Sequence, residues 1–137
     1  MAILLKNGLV YQEGEFIKED VLISGSKIQA IGLDLPEEGA EVYDLKGKLL
    51  APGLVDIHEQ PGFTYKETIK TGSEAAARGG FTTVCTMPNV DPVPDDLETF
   101  EKQVALNEAN SCVHLKQYGA ITEDLTSDKV VDMAALK

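Results

Sequence analysis

Ala51-Pro52-Gly53-Leu54-Val55-Asp56-Ile57-His58 is the stretch on which the fold turns. Proline lacks a ladder donor and glycine loosens the backbone, so Pro52-Gly53 marks a boundary between two styles of chain. The apolar run after it predicts a short strand carrying Asp56 and His58. Residues two apart in a strand point the same way, which predicts these two on one face and Val55 with Ile57 on the other. Downstream, Thr64 and Glu67 have capping-box spacing and Gly79-Gly80 supply a stop, predicting a helix. The β-branched run over residues 81–87, ended by Pro88, predicts a second strand. Asp95 and Glu98 open a second helix through about residue 109, with Leu97, Phe100, Val104 and Leu106 as its apolar face. Residues 113–121 predict a third strand, and residues 129–136 begin a third helix. A β-α-β-α-β-α order implies parallel strands joined by right-handed crossovers.

Upstream of the boundary the chain reads as short strands and turns. Ile3-Leu4-Leu5 and Leu9-Val10-Tyr11 flank the turn dipeptide Asn7-Gly8. Val21-Leu22-Ile23 and residues 27–31 flank Ser24-Gly25, and residues 41–45 and 48–50 flank Lys46-Gly47. This predicts a small antiparallel β unit, part of a sandwich, whose edges something else must cover. The expected division is therefore 1–52, a β-sandwich portion, and 53–137, three β/α units.

Composition narrows the function classes. With 137 residues, 43% hydrophobic and 26% charged, the chain has globular composition and room for one domain or a domain plus a fragment. No apolar run approaches the ~20 residues of a membrane span, and the N-terminus has no signal-peptide pattern. A net charge of −11, with Arg78 the only arginine, leaves no basic stripe for nucleic acid. Acidic residues such as Glu13, Glu37 and Glu98 fit solvated faces and helix starts. Cys85 and Cys112 lie 27 positions apart without C-x-x-C spacing, which predicts reduced, buried thiols in a cytosolic protein.

In open or barrel α/β sheets, ligands bind at the carboxyl ends of the strands. His58 falls there, either as a metal ligand steadied by a nearby carboxylate or as a lone, satisfied histidine. Asn89 falls at the corresponding end of the second strand, either reading a substrate carboxylate or amide or shaping the turn before Pro92. His114 lies within the third strand, away from that end, and reads as a packing or surface residue.

The opening stretch resembles the start of the barrel in cyclic amidohydrolases. Pro61-Gly62-Phe63-Thr64-Tyr65-Lys66-Glu67-Thr68, Ala75-Ala76-Ala77-Arg78-Gly79-Gly80-Phe81-Thr82-Thr83-Val84 and Met87-Pro88-Asn89 are similar to bacterial dihydroorotases of the longer-chain type. The resemblance covers essentially the whole chain. It implies an α/β fold, the start of a (β/α)8 TIM barrel preceded by part of a small β-sandwich. It also implies a cytoplasmic, zinc-dependent hydrolase that interconverts N-carbamoyl-L-aspartate and L-dihydroorotate in pyrimidine biosynthesis, the metal activating a hydroxide. On this resemblance His58 is a zinc ligand, the first histidine of a His-x-His pair, and Asn89 holds the substrate carboxylate. No catalytic acid or base falls within these residues; the family's later ligands and its aspartate would lie beyond residue 137. The implied partners are a small-molecule substrate and a second copy of the chain or aspartate transcarbamoylase, with no nucleic acid and no membrane.

Two departures stand beside the match. Where the family reads His-x-His-x-Arg-Glu-Pro-Gly, this chain reads His58-Glu59-Gln60-Pro61-Gly62, short by roughly three or four residues of that metal-ligand motif. The second histidine and the arginine have no counterpart, and Gln60, a poorer zinc ligand than imidazole, stands two positions after His58. A barrel of this kind takes ~250 residues, so the chain supplies only part of one. These departures favour one alternative, an inactive dihydroorotase-like scaffold that assembles with aspartate transcarbamoylase; within enzymes, the alternative is another cyclic amidohydrolase such as a hydantoinase or allantoinase.

Overall fold

The structure, a computed structural model, describes residues 1–59 and 67–136. The chain forms two compact units, Met1–Pro52 and Gly53–Lys137. In the first, β1 (Ala2–Gln12), β2 (Glu15–Ser24), β3 (Lys27–Gly32), β4 (Ala40–Asp44) and β5 (Leu49–Leu50) make one sheet. Its order is β3-β2-β1-β4, with β5 also on β1. Glu13 and Gly14 both take left-handed backbone (φ 48° and 96°), as a two-residue hairpin turn between twisted strands requires. Leu4, Val10 and Val21 are the buried apolar residues of this sheet.

Asn7-Gly8 is not the turn its sequence predicts. β1 runs straight through it, with the register against β2 shifted between Leu5 and Gly8. Asparagine tolerates left-handed backbone, and Asn7 (φ 56°) uses that freedom for a β-bulge instead of a reversal. The bulge is held from two sides. Buried Asp20 accepts from the Asn7 N–H at 2.9 Å, and Asp44 accepts from the Asn7 side-chain amide at 3.0 Å.

The expected antiparallel pattern also fails for β4 and β5, which both run parallel to β1. Lys46-Gly47 does not reverse the chain; it carries one edge past the bulge. Leu45 N–H donates to Lys6 O at 2.8 Å, Gly47 N–H to Asn7 O at 2.8 Å, and Leu9 N–H to Lys48 O at 2.9 Å. Gly8 is needed for this close approach, since a Cβ there would lie 2.8 Å from Leu45 Cδ1.

The second unit holds β6 (Leu54–Glu59), β7 (Phe81–Thr86) and β8 (His114–Gln117), side by side in that order and all parallel. Helices α1 (Ile69–Arg78) and α2 (Leu97–Asn110) connect them, so the chain is mixed α/β. Gly53 enters β6 against the side chain of Thr82, and a Cβ on it would sit 2.1 Å from Thr82 Cγ2. α1 is capped by Thr68 and Thr71 in a reciprocal box, while the expected cap Thr64 lies outside the described residues. α2 is capped by Asp96 and Thr99, one position after the expected pair, because the Thr99 hydroxyl can answer the cap as a glutamate would.

Three expectations are corrected in this unit. The third strand ends at Gln117. Residues 129–136 form no helix: Val130 bridges Thr122, and the Asp132 carboxylate caps a turn by accepting from Ala134 N–H at 3.0 Å. The capping signal is there without the ladder. The cysteines are free but not buried, Cys85 being half-buried and Cys112 exposed.

Candidate functional site

The parallel register brings the last residues of the three strands abreast: Glu59 pairs with Thr86, and Thr86 with Gln117. Loops leaving this edge are stitched together by backbone bonds. Met87 N–H donates to Glu59 O at 2.9 Å, Tyr118 N–H to Thr86 O at 3.0 Å, and Ala120 N–H to Pro94 O at 3.0 Å. A parallel sheet presents such an edge as its ligand side.

His58 lies on this edge as the penultimate residue of β6, and it is exposed. The register against β7 shifts between Asp56 and Glu59, where β6 carries one extra residue. Strict alternation therefore breaks at Ile57-His58, and the expected shared face of Asp56 and His58 does not follow from period two here. The Asp56 carboxylate accepts from the main-chain N–H of His58 at 2.9 Å, so it steadies the backbone rather than the imidazole.

Asn89 lies on the same edge, three residues beyond β7, and is exposed. Val90 N–H donates to Pro88 O at 2.9 Å, closing a tight turn centred on Asn89. Turn former and ligand reader are thus compatible roles, because the turn uses only main-chain atoms and leaves the side-chain amide at the surface. His114 starts β8 at the opposite, amino end of the sheet.

Sequence reasoning missed what lies beneath the edge. The buried side chains of α2 are Gln103 and Asn107, whereas Leu97 and Leu106 of the expected apolar face are exposed. Gln103 Nε2 donates to Asn107 Oδ1 at 3.0 Å, and Asn107 Nδ2 donates to Gln117 Oε1 at 3.1 Å. Thr86 Oγ1 donates to the same oxygen at 2.6 Å. Two amides at i and i+4 in mid-helix, facing a strand-end glutamine, were the available signal. Next to this network, a hydrogen bond with Cys85 raises the Tyr118 phenol above its ordinary range.

A protein metal site needs about three side-chain donors at one point. Among the described residues, no group of three histidine, cysteine, aspartate or glutamate side chains converges. His58 is the one imidazole on the strand-end edge. The chain's described residues do not make a metal centre by themselves, and no chemical step is derived through one. No described helix is long and apolar enough to cross a membrane.

Comparison with known proteins fits this geometry. Residues 47–137 match the family model described as "Dihydro-orotase-like". The chain is 96% identical, over 140 aligned positions, to a dihydroorotase of Lactobacillus leichmannii, covering all of this chain and 33% of that protein. It is 58% identical to a dihydroorotase of Lactobacillus gasseri, over all of this chain and 32% of that protein. Among solved structures, the L-hydantoinase (dihydropyrimidinase) of Arthrobacter aurescens superposes with a TM-score of 0.79 at 26% identity, over 88% of this chain and 28% of that one. The chain thus spans about a third of the length of the curated relatives it matches. With 140 aligned positions for 137 residues, three positions of the Lactobacillus leichmannii protein have no counterpart here. The family match covers well over half of the chain, and the chain belongs to the dihydro-orotase-like family.

Proposed function

We propose that the complete protein containing this chain is a cytoplasmic zinc-dependent dihydroorotase, interconverting N-carbamoyl-L-aspartate and L-dihydroorotate. In this reading residues 53–137 are the first three β/α units of a (β/α)8 barrel and residues 1–52 are part of its β-sandwich. The observation that carries it is the whole-chain match to dihydroorotases, with His58 and Asn89 on one strand-end edge of a parallel sheet. His58 contributes one imidazole to the metal, and the remaining ligands come from outside these residues. A zinc ion completed by those other ligands would supply hydroxide at neutral pH by lowering the pKa of its bound water. Asn89 donates its side-chain amide to the substrate carboxylate. Losing one hydrogen bond to a charged group costs about 1.5–3 kcal/mol, so Asn89→Ala raises KM by roughly tenfold to a hundredfold.

A second reading is favoured by Gln60 two positions after His58 and by the absence of the motif's arginine. Here the protein keeps the scaffold, has lost the metal, and serves as an assembly partner of aspartate transcarbamoylase. Zinc analysis and turnover of the complete protein separate the two. The enzyme reading expects stoichiometric zinc and hydrolysis of L-dihydroorotate in preference to hydantoin or allantoin. Metal-free protein that turns over none of the three supports the scaffold, and preference for hydantoin or allantoin moves the assignment within the cyclic amidohydrolases.

A further inference from the structure

The side chain of Gln117 is split between two jobs. Its Oε1 accepts from Thr86 Oγ1 and from Asn107 Nδ2, both on residues that are 1% exposed. Its Nε2 faces three main-chain oxygens: Tyr118 O at 2.9 Å, and Thr86 O and Met87 O at 3.4 Å each. The amide cannot be turned over, because donors surround one end and acceptors the other. Asn107 is oriented in the same way, its oxygen being taken by Gln103 Nε2. Three amides therefore stand head to tail from the interior of α2 to the last residue of β8. Their final donor ends on main-chain carbonyls, Tyr118 O nearest at 2.9 Å and Met87 O at 3.4 Å, the latter where the chain leaves β7 for Pro88 and Asn89.

We propose that Gln117 is a positioning residue for the Met87-Pro88-Asn89 turn, its amide kept in one direction by the Thr86 hydroxyl on one end and main-chain carbonyls on the other. Met87 is also held by its N–H on Glu59 O, so the two contacts grip both sides of one residue. The turn beyond has one bond of its own, Val90 N–H to Pro88 O. A side chain at Asn89 can meet a ligand in one orientation only if that base does not move. The effect on substrate binding rests on Asn89 being the substrate contact; the grip on the turn does not.

Gln117→Glu in the complete protein separates these jobs, since it keeps an acceptor for Thr86 and Asn107 but removes the donor to the carbonyls of Tyr118, Thr86 and Met87. The expected result is amide exchange at Met87 and Val90 faster by about tenfold, as for loss of a local restraint. KM for dihydroorotate rises with kcat changed much less, the pattern of weakened binding rather than altered chemistry. Gln117→Met, with neither donor nor acceptor, repeats the measurement should the glutamate fail to fold. Asn107→Leu is the comparator: it lowers the melting temperature and leaves exchange at Met87 and Val90 no faster than elsewhere. Unchanged exchange in the Gln117 variants, or an equal rise in KM from Asn107→Leu, overturns the proposal. If Asn89→Ala leaves KM unchanged, the substrate role of Asn89 fails alone, and the exchange measurement still decides the role of Gln117.

Discussion

The two units solve opposite problems with the same kinds of residue. In Met1–Pro52 the polar side chains Asn7, Asp20 and Asp44 serve the backbone, holding a bulge so that β4 and β5 can follow β1 along one edge. In Gly53–Lys137 the polar side chains Gln103, Asn107, Thr86 and Gln117 lie under the carboxyl edge of a parallel sheet and serve the loops that leave it. The first unit shows polarity used to set register; the second shows polarity used to hold a surface in place. Buried amides are expensive unless fully paired, so a chain of them beneath strand ends marks the place where geometry matters.

The largest difference between the units is at β6. Among the described residues β6 pairs only with β7, and its Leu54, Val55 and Ile57 are 54%, 59% and 69% exposed. β1, by contrast, is paired along both edges. An unpaired apolar parallel edge invites association, so the isolated 137-residue polypeptide is expected to aggregate on purification or to melt without cooperativity. Light scattering with a thermal melt checks this, and a sharp reversible transition of a soluble monomer contradicts it.

Core truncations in the complete protein sharpen the contrast. Leu4→Ala empties a fully buried apolar site of the first unit and is expected to cost about 2–5 kcal/mol. Asn107→Leu strands its amide partners in the second and is expected to cost about 1–3 kcal/mol. Denaturant melts compare them. Equal or inverted costs would mean the amide chain is as much a packing core as Leu4.

Two glycines give a smaller, paired test. A Cβ at Gly53 meets the β-branched Thr82 at 2.1 Å, while one at Gly8 meets only the end of the Leu45 side chain at 2.8 Å. Threonine branched at Cβ cannot withdraw, whereas a leucine methyl can swing aside. Gly53→Ala is expected at the upper end of the ~1–3 kcal/mol range for overpacking, and Gly8→Ala at its lower end. Melting temperatures of the two variants decide the order.

The smallest effect is electrostatic. Backbone and side-chain bonds from Thr99 hold Asp96 below the usual carboxylate range, and bonds from the Asn7 side chain and the Lys46 N–H do the same for Asp44. A carboxylate with a lowered folded pKa adds stability above its unfolded pKa and loses it as pH falls through the folded value. Both contributions are thus present at neutral pH and disappear below about pH 4. Asp96→Asn and Asp44→Asn are each expected to flatten the acid limb of a stability–pH curve, and an unchanged limb removes the linkage.

How much of this was legible follows from the physics of each feature. β7, the order β6-α1-β7-α2-β8 and the Gly79-Gly80 stop were readable because β-branched runs and glycine act locally, whereas the helix expected over residues 129–136 does not form. The strand ends carrying His58 and Asn89 were readable for the same reason. The Asn7-Gly8 bulge was not, because the same backbone preference serves a turn or a bulge, and only the partner strand decides. Nor was the parallel course of β4 and β5, which depends on pairing with β1 some forty residues away. The α2 interior was misread because leucines draw attention as core formers, while Gln103 and Asn107 reveal themselves only opposite Gln117.

The most direct test of the central claim, that the strand-end edge of β6–β8 is a substrate-binding surface, is the KM for L-dihydroorotate of the complete protein with and without Asn89→Ala. A rise of roughly tenfold or more, with the melting temperature unchanged, is the predicted result. An unaltered KM in an active, folded variant would contradict it.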